Sequence, residues 1–123
     1  MSILIKRVYD APSSDDGRRI LVDRLWPRGL TRESAQIDQW AKEIAPSHDL
    51  RRWFGHDPRR WVTFQARYET ELSALALQPC LQGICQMAEG ETVTLLFAAK
   101  DLHCNNAVVL QRWLMAMENS NKV

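Results

Sequence analysis

The stretch that decides the fold is residues 19–29, RILVDRLWPRG. It begins with the apolar run Ile20 to Val22 and then changes at once to charged, aromatic and proline residues. An apolar run without alternation is typical of a strand that is buried on both faces of a helix-covered sheet. Open α/β sheets bind their ligands beyond the carboxyl ends of their strands. We therefore expect a central strand over residues 20–25 that leads directly into a polar site.

Two further segments have the composition of strands, residues 3–9 and residues 92–99 (TVTLLFAA). Residues 10–17, DAPSSDDG, are rich in turn-forming residues. This connection is too short to hold a full crossover helix. The first two strands are therefore either a hairpin or parallel strands joined by a tight loop, and we favour the parallel arrangement.

Helical spacing of apolar residues covers most of the remaining chain. Apolar residues at positions 37, 40, 41 and 44 predict a helix that Pro46 ends. Further helices are predicted after Ser47, after Asp57-Pro58, from Pro79 to Gly90, and from about Asn105 onward. The fold class is therefore α/β: a small, mainly parallel sheet of three or four strands flanked by helices, in a Rossmann-like three-layer arrangement. We expect a single domain over residues 3–117 and a flexible tail over residues 118–123.

Length and composition limit the classes of protein that fit. The chain has 123 residues, which suits one domain. No apolar run is long enough for a transmembrane helix, and charge within the first six residues argues against a signal peptide. The three cysteines have no metal-type spacing. We expect free thiols in a reducing cytoplasm and no association with membranes.

Positive charge is concentrated in the first half of the chain. Residues 1–67 contain 13 lysine and arginine residues against 9 acidic residues, and residues 68–123 contain 3 against 6. Most of these cations are arginines, whose planar guanidinium groups suit phosphates, carboxylates and aromatic faces. Arg51-Arg52 and Arg59-Arg60 flank Trp53. We interpret them as a solvated helical face, with binding to nucleic-acid phosphates as the alternative.

Each of the three predicted strands ends in a cluster of polar residues. The candidate site residues are Lys6 and Tyr9 from the first cluster, Asp23, Arg24, Trp26 and Arg28 from the second, and Lys100, Asp101, Asn105 and Asn106 from the third. If the strands are parallel, these residues share one edge of the sheet. If one strand is antiparallel, its residues are absent from the site.

The cationic and amide residues of this set predict an anion site. Lys6, Arg24, Arg28 and Lys100 supply positive charge, and Asn105 or Asn106 begins a helix whose free backbone N–H groups favour anions. Trp26 either stacks on a planar ligand or closes the edge of the core.

Three residues are candidates for proton transfer or for binding a hydroxyl group: Asp23, Tyr9 and Asp101. A carboxylate at the end of a buried strand must be paired or protonated. Asp23 is therefore either functional or half of a buried ion pair with Lys6, Arg7 or Lys100.

The spacing of the residues argues against several specific catalytic and metal-binding motifs. A cysteine-dependent phosphatase built on Cys104 would need arginine at position 110, which is Leu110. The histidines have no zinc spacing, no phosphate-binding glycine motif is present, and we regard His56 as structural. We therefore predict no metal site, and the sequence leaves the cofactor unknown.

The motifs KRVYD (6–10), VDRLWPRG (22–29) and AAK (98–100), followed by an Asn-x-Ala helix start, resemble the YeaO-like proteins. These proteins are one branch of a family of bacterial domains of unknown function. The resemblance covers roughly residues 3–115 and implies a compact α/β domain without a known activity. The family usually has Asn-His-Ala at the last helix start, whereas this chain has Asn105-Asn106-Ala107. The family's histidine, a residue type suited to acid–base chemistry, is thus missing at position 106, unless His103 replaces it.

These observations support three hypotheses. The leading one is an enzyme or ligand-binding domain for a small anionic or nucleotide-like molecule, bound at the carboxyl ends of the strands. The second is a nucleic-acid-binding protein that uses the arginine-rich half. The third is an interaction module in which the polar motif is purely structural. The sequence does not indicate the oligomeric state.

Overall fold

Four parallel strands form the sheet at the centre of the molecule, in the order β1-β4-β2-β3. The computed structural model describes residues 2–121. The strands are β1 (Ile3–Arg7), β2 (Arg18–Leu21), β3 (Gln39–Trp40) and β4 (Val93–Phe97). The α-helices are α1 (Arg32–Ala35), α2 (His48–Phe54), α3 (Trp61–Leu72), α4 (Gln78–Gly90) and α5 (Asn106–Asn121). Short 3-10 turns cover Ser14–Asp16, Lys42–Ile44, Pro58–Arg60 and Leu75–Leu77. The predicted α/β fold is confirmed.

The sheet places β4 between the first two strands. Leu95 of β4 is in register with Ile5 of β1 on one side and with Ile20 of β2 on the other. The predicted parallel direction is therefore confirmed, although β1 and β2 do not pair with each other. All five residues of β4 are buried, which explains why its sequence is apolar without alternation.

The apolar spacing of residues 37–44 indicated a helix, and this prediction is wrong. The segment forms β3 and the 3-10 turn Lys42–Ile44. The backbone N–H of Ala41 donates to Leu21 O at 2.9 Å, and that of Asp38 donates to Arg19 O at 2.9 Å. These bonds to the open edge of β2 outweigh the local preference for a helix. A short strand followed by a 3-10 turn buries the same positions that a helix would bury.

Helix α1 (Arg32–Ala35) was not predicted from the sequence. The boundaries of the other helices agree with the signals in the sequence. Ser47 Oγ accepts a hydrogen bond from Leu50 N, and Gly55 ends α2 in the left-handed conformation with φ 53°. Asp57 begins the 3-10 turn that leads into α3, and α5 begins at Asn106. The predicted start of the tail at residue 118 falls inside α5, and Glu118 there is buried. Residues 122 and 123 lie outside the described part of the chain.

The two faces of the sheet are covered unequally. The larger core contains buried residues of α2, α3, α4 and α5 packed against one face, and Phe64, Tyr68 and Leu110 are among its largest side chains. The smaller core is formed by Val8, Leu21, Ala35, Ile37 and Leu96, with Trp26 and Trp40 packed against it. The segment that contains α1 covers this second face.

A buried group of charges joins β1, β2 and α1 on the second face. We call Lys6, Asp16 and Arg19 the Asp16 network. Asp16 accepts hydrogen bonds from Arg19 Nη1 and, at 3.2 Å, from Lys6 Nζ, while Arg19 Nη2 donates to Ala35 O at 2.8 Å. Burial acts to raise the pKa of Asp16, but donors from Ser13 N, Lys6 and Arg19 outweigh it and lower that pKa. The network therefore holds Asp16 as a carboxylate inside the protein.

The three cysteines, Cys80, Cys85 and Cys104, are free thiols, as predicted. Within residues 2–121, no helix combines the length and the apolar character that crossing a membrane requires.

Candidate functional site

A cleft of about 670 Å³ opens beyond the carboxyl ends of β1, β2 and β4. Nine of the ten candidate site residues line it: Tyr9, Asp23, Arg24, Trp26, Arg28, Lys100, Asp101, Asn105 and Asn106. The parallel strands bring these residues together from three separate parts of the chain. Lys6 does not belong to the cleft, because its side chain is paired with Asp16 in the Asp16 network.

Asp23 lies where β2 gives way to the loop, and its two carboxylate oxygens have different partners. Oδ2 accepts from Ala98 N at 2.9 Å, and Oδ1 accepts from Asn106 Nδ2 at 3.1 Å. Burial raises the pKa of Asp23 above its usual range, and these two hydrogen bonds reduce the shift. Both partners are neutral. Within residues 2–121, Asp23 therefore forms no ion pair with Lys6, Arg7 or Lys100, contrary to the structural alternative predicted for it.

The two asparagines fasten the start of α5 to the sheet. Asn105 Oδ1 accepts from Val108 N at 3.1 Å, as a helix cap does, and its Nδ2 donates to Asp101 O at 2.9 Å. Asn106 Nδ2 donates both to Val22 O at 2.9 Å and to Asp23 Oδ1. Asn105 is buried, so its cap role is structural, whereas Asn106 also faces the cleft.

The arginines and the lysine of the cleft form no ion pair with an acidic residue among residues 2–121. Arg24 donates to the carbonyl oxygens of Ala45 and Pro46 at 3.0 and 3.1 Å, so its charge is solvated by neutral groups. Arg28, Arg51 and Lys100 make no side-chain hydrogen bond or ion pair with any described residue. Cations that are not paired within the protein raise the local electrostatic potential of a cleft.

Tyr9 and Trp26 shape one wall of the cleft. Tyr9 Oη donates to Arg28 O at 3.1 Å, and Trp26 Nε1 donates to Leu30 O at 2.7 Å. The Trp26 ring also meets the Trp40 ring edge-on, with centroids 5.3 Å apart. These contacts hold the loop over residues 26–30. Trp26 therefore closes the edge of the smaller core and still presents part of its surface to the cleft.

Asp101 holds the loop that precedes α5. Its Oδ1 accepts from His103 N and from Cys104 N, each at 2.9 Å. These hydrogen bonds lower the pKa of Asp101. A carboxylate that is stabilised in this way is a poor proton donor, so the geometry assigns Asp101 a positioning role.

The cleft also contains residues that were not predicted from the sequence, among them Arg51, Phe54, His56 and Phe64. They come from α2, the turn after it and α3, which form the wall opposite the strand ends. The sequence placed Arg51 on a solvated face and gave His56 a structural role. His56 has a left-handed backbone with φ 57°, which is uncommon for a residue other than glycine. Nothing in the local sequence indicated that this wall faces the strand ends.

The lining of the cleft is apolar between its charged groups. Apolar side chains are supplied by Leu25, Pro27, Pro46, Phe54, Phe64, Ala98 and Ala99. Ligand sites commonly combine such a lining with a few convergent polar groups. The arrangement suits a small molecule that has an anionic group and an apolar or planar portion.

The fold and site define an all-parallel α/β domain with a cationic cleft at the carboxyl edge of its sheet. The chain belongs to the family described as the inactive DUF488-N3 subclade, whose model matches residues 2–122.

Relatives have been named but not assigned a function. The chain is 40% identical over 117 residues to "Uncharacterized protein YeaO" of Escherichia coli, covering 95% of this chain and 100% of that protein. It is 35% identical over 112 residues to "Uncharacterized protein Rv3073c" of Mycobacterium tuberculosis, covering 91% of this chain and 92% of that protein. The resemblance to YeaO-like proteins is confirmed. No solved structure matches the chain.

Proposed function

We propose that the protein binds a small anionic molecule in the cleft between the strand ends and α2. The observation that carries this proposal is the set of three cations, Arg28, Arg51 and Lys100, that face the cleft without an acidic partner among residues 2–121. Elsewhere the described arginines at exposed sites often have carboxylate partners, such as Arg52 with Asp49 and Arg59 with Asp57. A phosphate or carboxylate group would supply the missing counter-charge.

The apolar surface of the cleft favours a ligand larger than an inorganic ion. Phe54 and Phe64 stack with ring centroids 4.3 Å apart, and both line the cleft. Part of a ligand that rests against this surface would gain affinity from the removal of apolar area from water. A nucleotide-like molecule or another ring-bearing phosphate has both of the required parts.

Binding without turnover is the simpler form of this proposal. Asn106 carries an amide where the family resemblance leads us to expect histidine, and an amide does not exchange protons near neutral pH. Asp101 and Asn105 are engaged in holding the backbone. The description of the family as an inactive subclade supports the same choice. Asp23 and Tyr9 remain the candidates for proton transfer if the protein is an enzyme.

The alternative of nucleic-acid binding rests on the arginines around Trp53. Arg60 and Arg67 lie over the Trp53 ring at 5.3 and 4.3 Å from its centroid. Arg52 and Arg59 are paired with aspartates. This surface is therefore largely occupied by its own contacts, which favours the cleft as the binding site. The free thiols and the sequence together support the expectation of a cytoplasmic location.

Isothermal titration calorimetry with phenyl phosphate tests the proposal. We expect saturable binding that Arg28→Ala and Lys100→Ala each weaken about tenfold, because a hydrogen bond to a charged group contributes about 1.5–3 kcal/mol. Arg59→Ala is the matched control, since it removes an exposed arginine outside the cleft. Equal affinity of all four proteins, or no binding to the wild type, would contradict the proposal.

A single-stranded oligonucleotide serves as the competing ligand in the same experiment. Nucleic-acid binding through several phosphates falls steeply as salt concentration rises. Tight, strongly salt-dependent oligonucleotide binding that Arg59→Ala weakens and Lys100→Ala does not would favour the alternative.

A further inference from the structure

The floor of the cleft contains hydrogen-bond acceptors, although its walls carry cations. Asp23 and Asn106 both line the cleft and are joined by the Asn106 Nδ2 to Asp23 Oδ1 bond of 3.1 Å. This contact fixes the two side chains side by side. An anion alone would be repelled by the carboxylate and would leave these acceptors without donors, so the charge of the ligand does not explain this part of the site.

Asn106 directs its amide oxygen away from the protein's own donors. Both hydrogens of Nδ2 are used, one by Val22 O at 2.9 Å and one by Asp23 Oδ1. The opposite end of the amide, Oδ1, accepts no hydrogen bond from any described residue. A side-chain amide oxygen has two lone pairs, so Oδ1 of this cleft-lining residue keeps both of them for a ligand.

Asp23 also has unused acceptor positions. Each carboxylate oxygen accepts one hydrogen bond, from Ala98 N or from Asn106 Nδ2. A carboxylate offers about four lone-pair sites in all. Two acceptor positions of the Asp23 carboxylate therefore remain unused by the described residues. Acceptors that are desolvated without a donor reduce affinity, so the site discriminates against a ligand that brings none.

We propose that the ligand is an anion that also carries hydroxyl or amino hydrogen-bond donors, and that Asp23 and Asn106 Oδ1 accept them while Arg28, Arg51 and Lys100 hold the anionic group. This inference rests on the proposed function and narrows its ligand class. Phosphorylated polyols and sugars have this pattern, as do phosphorylated amines. A ligand that consists only of an anionic group and a hydrocarbon lacks these hydrogen-bond donors.

The test compares three phosphate monoesters of matched length and phosphate charge: propyl phosphate, glycerol 3-phosphate and 3-aminopropyl phosphate. Their dissociation constants are measured by calorimetry on the wild-type protein. We expect glycerol 3-phosphate or 3-aminopropyl phosphate to bind about tenfold or more tightly than propyl phosphate, because only these two supply donors to the floor. The stronger of the two identifies the donor as hydroxyl or amine.

Two variants separate recognition of the donor from recognition of the anion. Lys100→Ala should weaken all three esters by a similar factor and leave their ratios unchanged. Asp23→Ala should reduce the preference for the donor-bearing esters to within about threefold of propyl phosphate. Alanine is chosen at position 23 because asparagine would direct an amide donor toward Ala98 N or Asn106 Nδ2. Should Asp23→Ala fail to fold, the wild-type ratios still test the donor requirement, and Asn106→Ala, which removes the other floor acceptor, should reduce the same preference.

These measurements distinguish failure of the donor requirement from failure of the proposed anion binding. Equal binding of the three esters to the wild type, weakened by Lys100→Ala, would overturn the donor requirement and leave anion binding intact. No binding of any ester would overturn both. A preference for glycerol 3-phosphate that Asp23→Ala does not alter would place the donor contacts elsewhere and would overturn the assignment to Asp23.

Discussion

The two ends of β2 carry the same residue types and use them differently. At its amino end, the Asp16 network pairs Arg19 and Lys6 with a buried carboxylate and with backbone carbonyls. At its carboxyl end, Arg28 and Lys100 face a cleft and have no partner among the described residues. Charges that satisfy one another stabilise a fold, and charges left unsatisfied in a cleft are available to a ligand. The comparison predicts that mutations at the two ends separate stability from binding.

The largest expected effect is on stability, from Asp16→Ala. Removing this carboxylate leaves Arg19, which is 3% exposed, without its anionic partner. Breaking a buried ion pair in this way costs about 3–5 kcal/mol of unfolding free energy. Urea denaturation measures the loss. The control is Asp15→Ala at the exposed neighbouring position, which should stay within about 0.5 kcal/mol of the wild type.

Gly17 and Gly29 provide the same comparison between the two ends of β2 for the backbone. Gly17, next to the Asp16 network, has φ 62°, and an added Cβ would lie 2.1 Å from Thr92 O. Gly29, in the loop beside the cleft, has φ 79° and nothing within 4 Å of such a Cβ. Gly17→Ala should therefore cost about 2 kcal/mol or more, because strain and steric conflict combine. Gly29→Ala introduces only backbone strain and should lower the unfolding free energy by about 1 kcal/mol. Equal losses in urea denaturation would show that crowding at Gly17 is relieved by movement.

The two aspartates should respond to acid in opposite directions. The pKa of Asp16 is lowered in the folded protein, mainly because donors outweigh burial, so its contribution is present above about pH 4 and is lost as pH falls through the folded pKa. The pKa of Asp23 is raised by burial. The folded protein therefore binds a proton at Asp23 more readily than the unfolded chain does. The contribution of Asp23 to the unfolding free energy becomes more favourable as pH falls through this raised pKa.

Denaturation curves recorded between pH 7 and pH 3 separate these contributions. Asp16→Ala should lose less stability on acidification than the wild type does, and Asp23→Ala should lose more. The same pH dependence in both variants would be inconsistent with the opposite shifts.

The smallest expected effect on stability is that of Arg28→Ala. Its exposed side chain forms no hydrogen bond or ion pair with any of residues 2–121, so the unfolding free energy of the protein should change by no more than about 0.5 kcal/mol. A loss as large as that of Asp16→Ala would remove the distinction between the two ends of β2, and the polar motif would then be structural.

Much of the fold was predictable because strong local signals coincided. The uninterrupted apolar residues of β4 and the polar ends of the strands predicted both the sheet and the edge where the cleft lies. The parallel direction then brought Asp23, Arg28 and Lys100 together. β3 was missed because its two residues pair with the open edge of β2, a long-range contact that apolar spacing does not reveal.

The remainder of the site depends on tertiary placement. Lys6 lies within β1, the strand that Tyr9 follows, but its side chain pairs with Asp16, ten residues later in the chain. Arg51 and His56 belong to α2 and the turn after it, and tertiary packing, in which Phe54 of α2 stacks on Phe64 of α3, brings them to the cleft. Neither result follows from spacing in the sequence.

The most direct test is a titration of the ¹⁵N-labelled protein with inorganic phosphate, followed by NMR chemical shifts of the backbone amides. The account predicts saturable shifts in residues 23–28 and 98–106 and none in residues 13–19, where the Asp16 network is already satisfied. Shifts centred on the arginines around Trp53, or no saturable shift at the carboxyl ends of the strands, would contradict it.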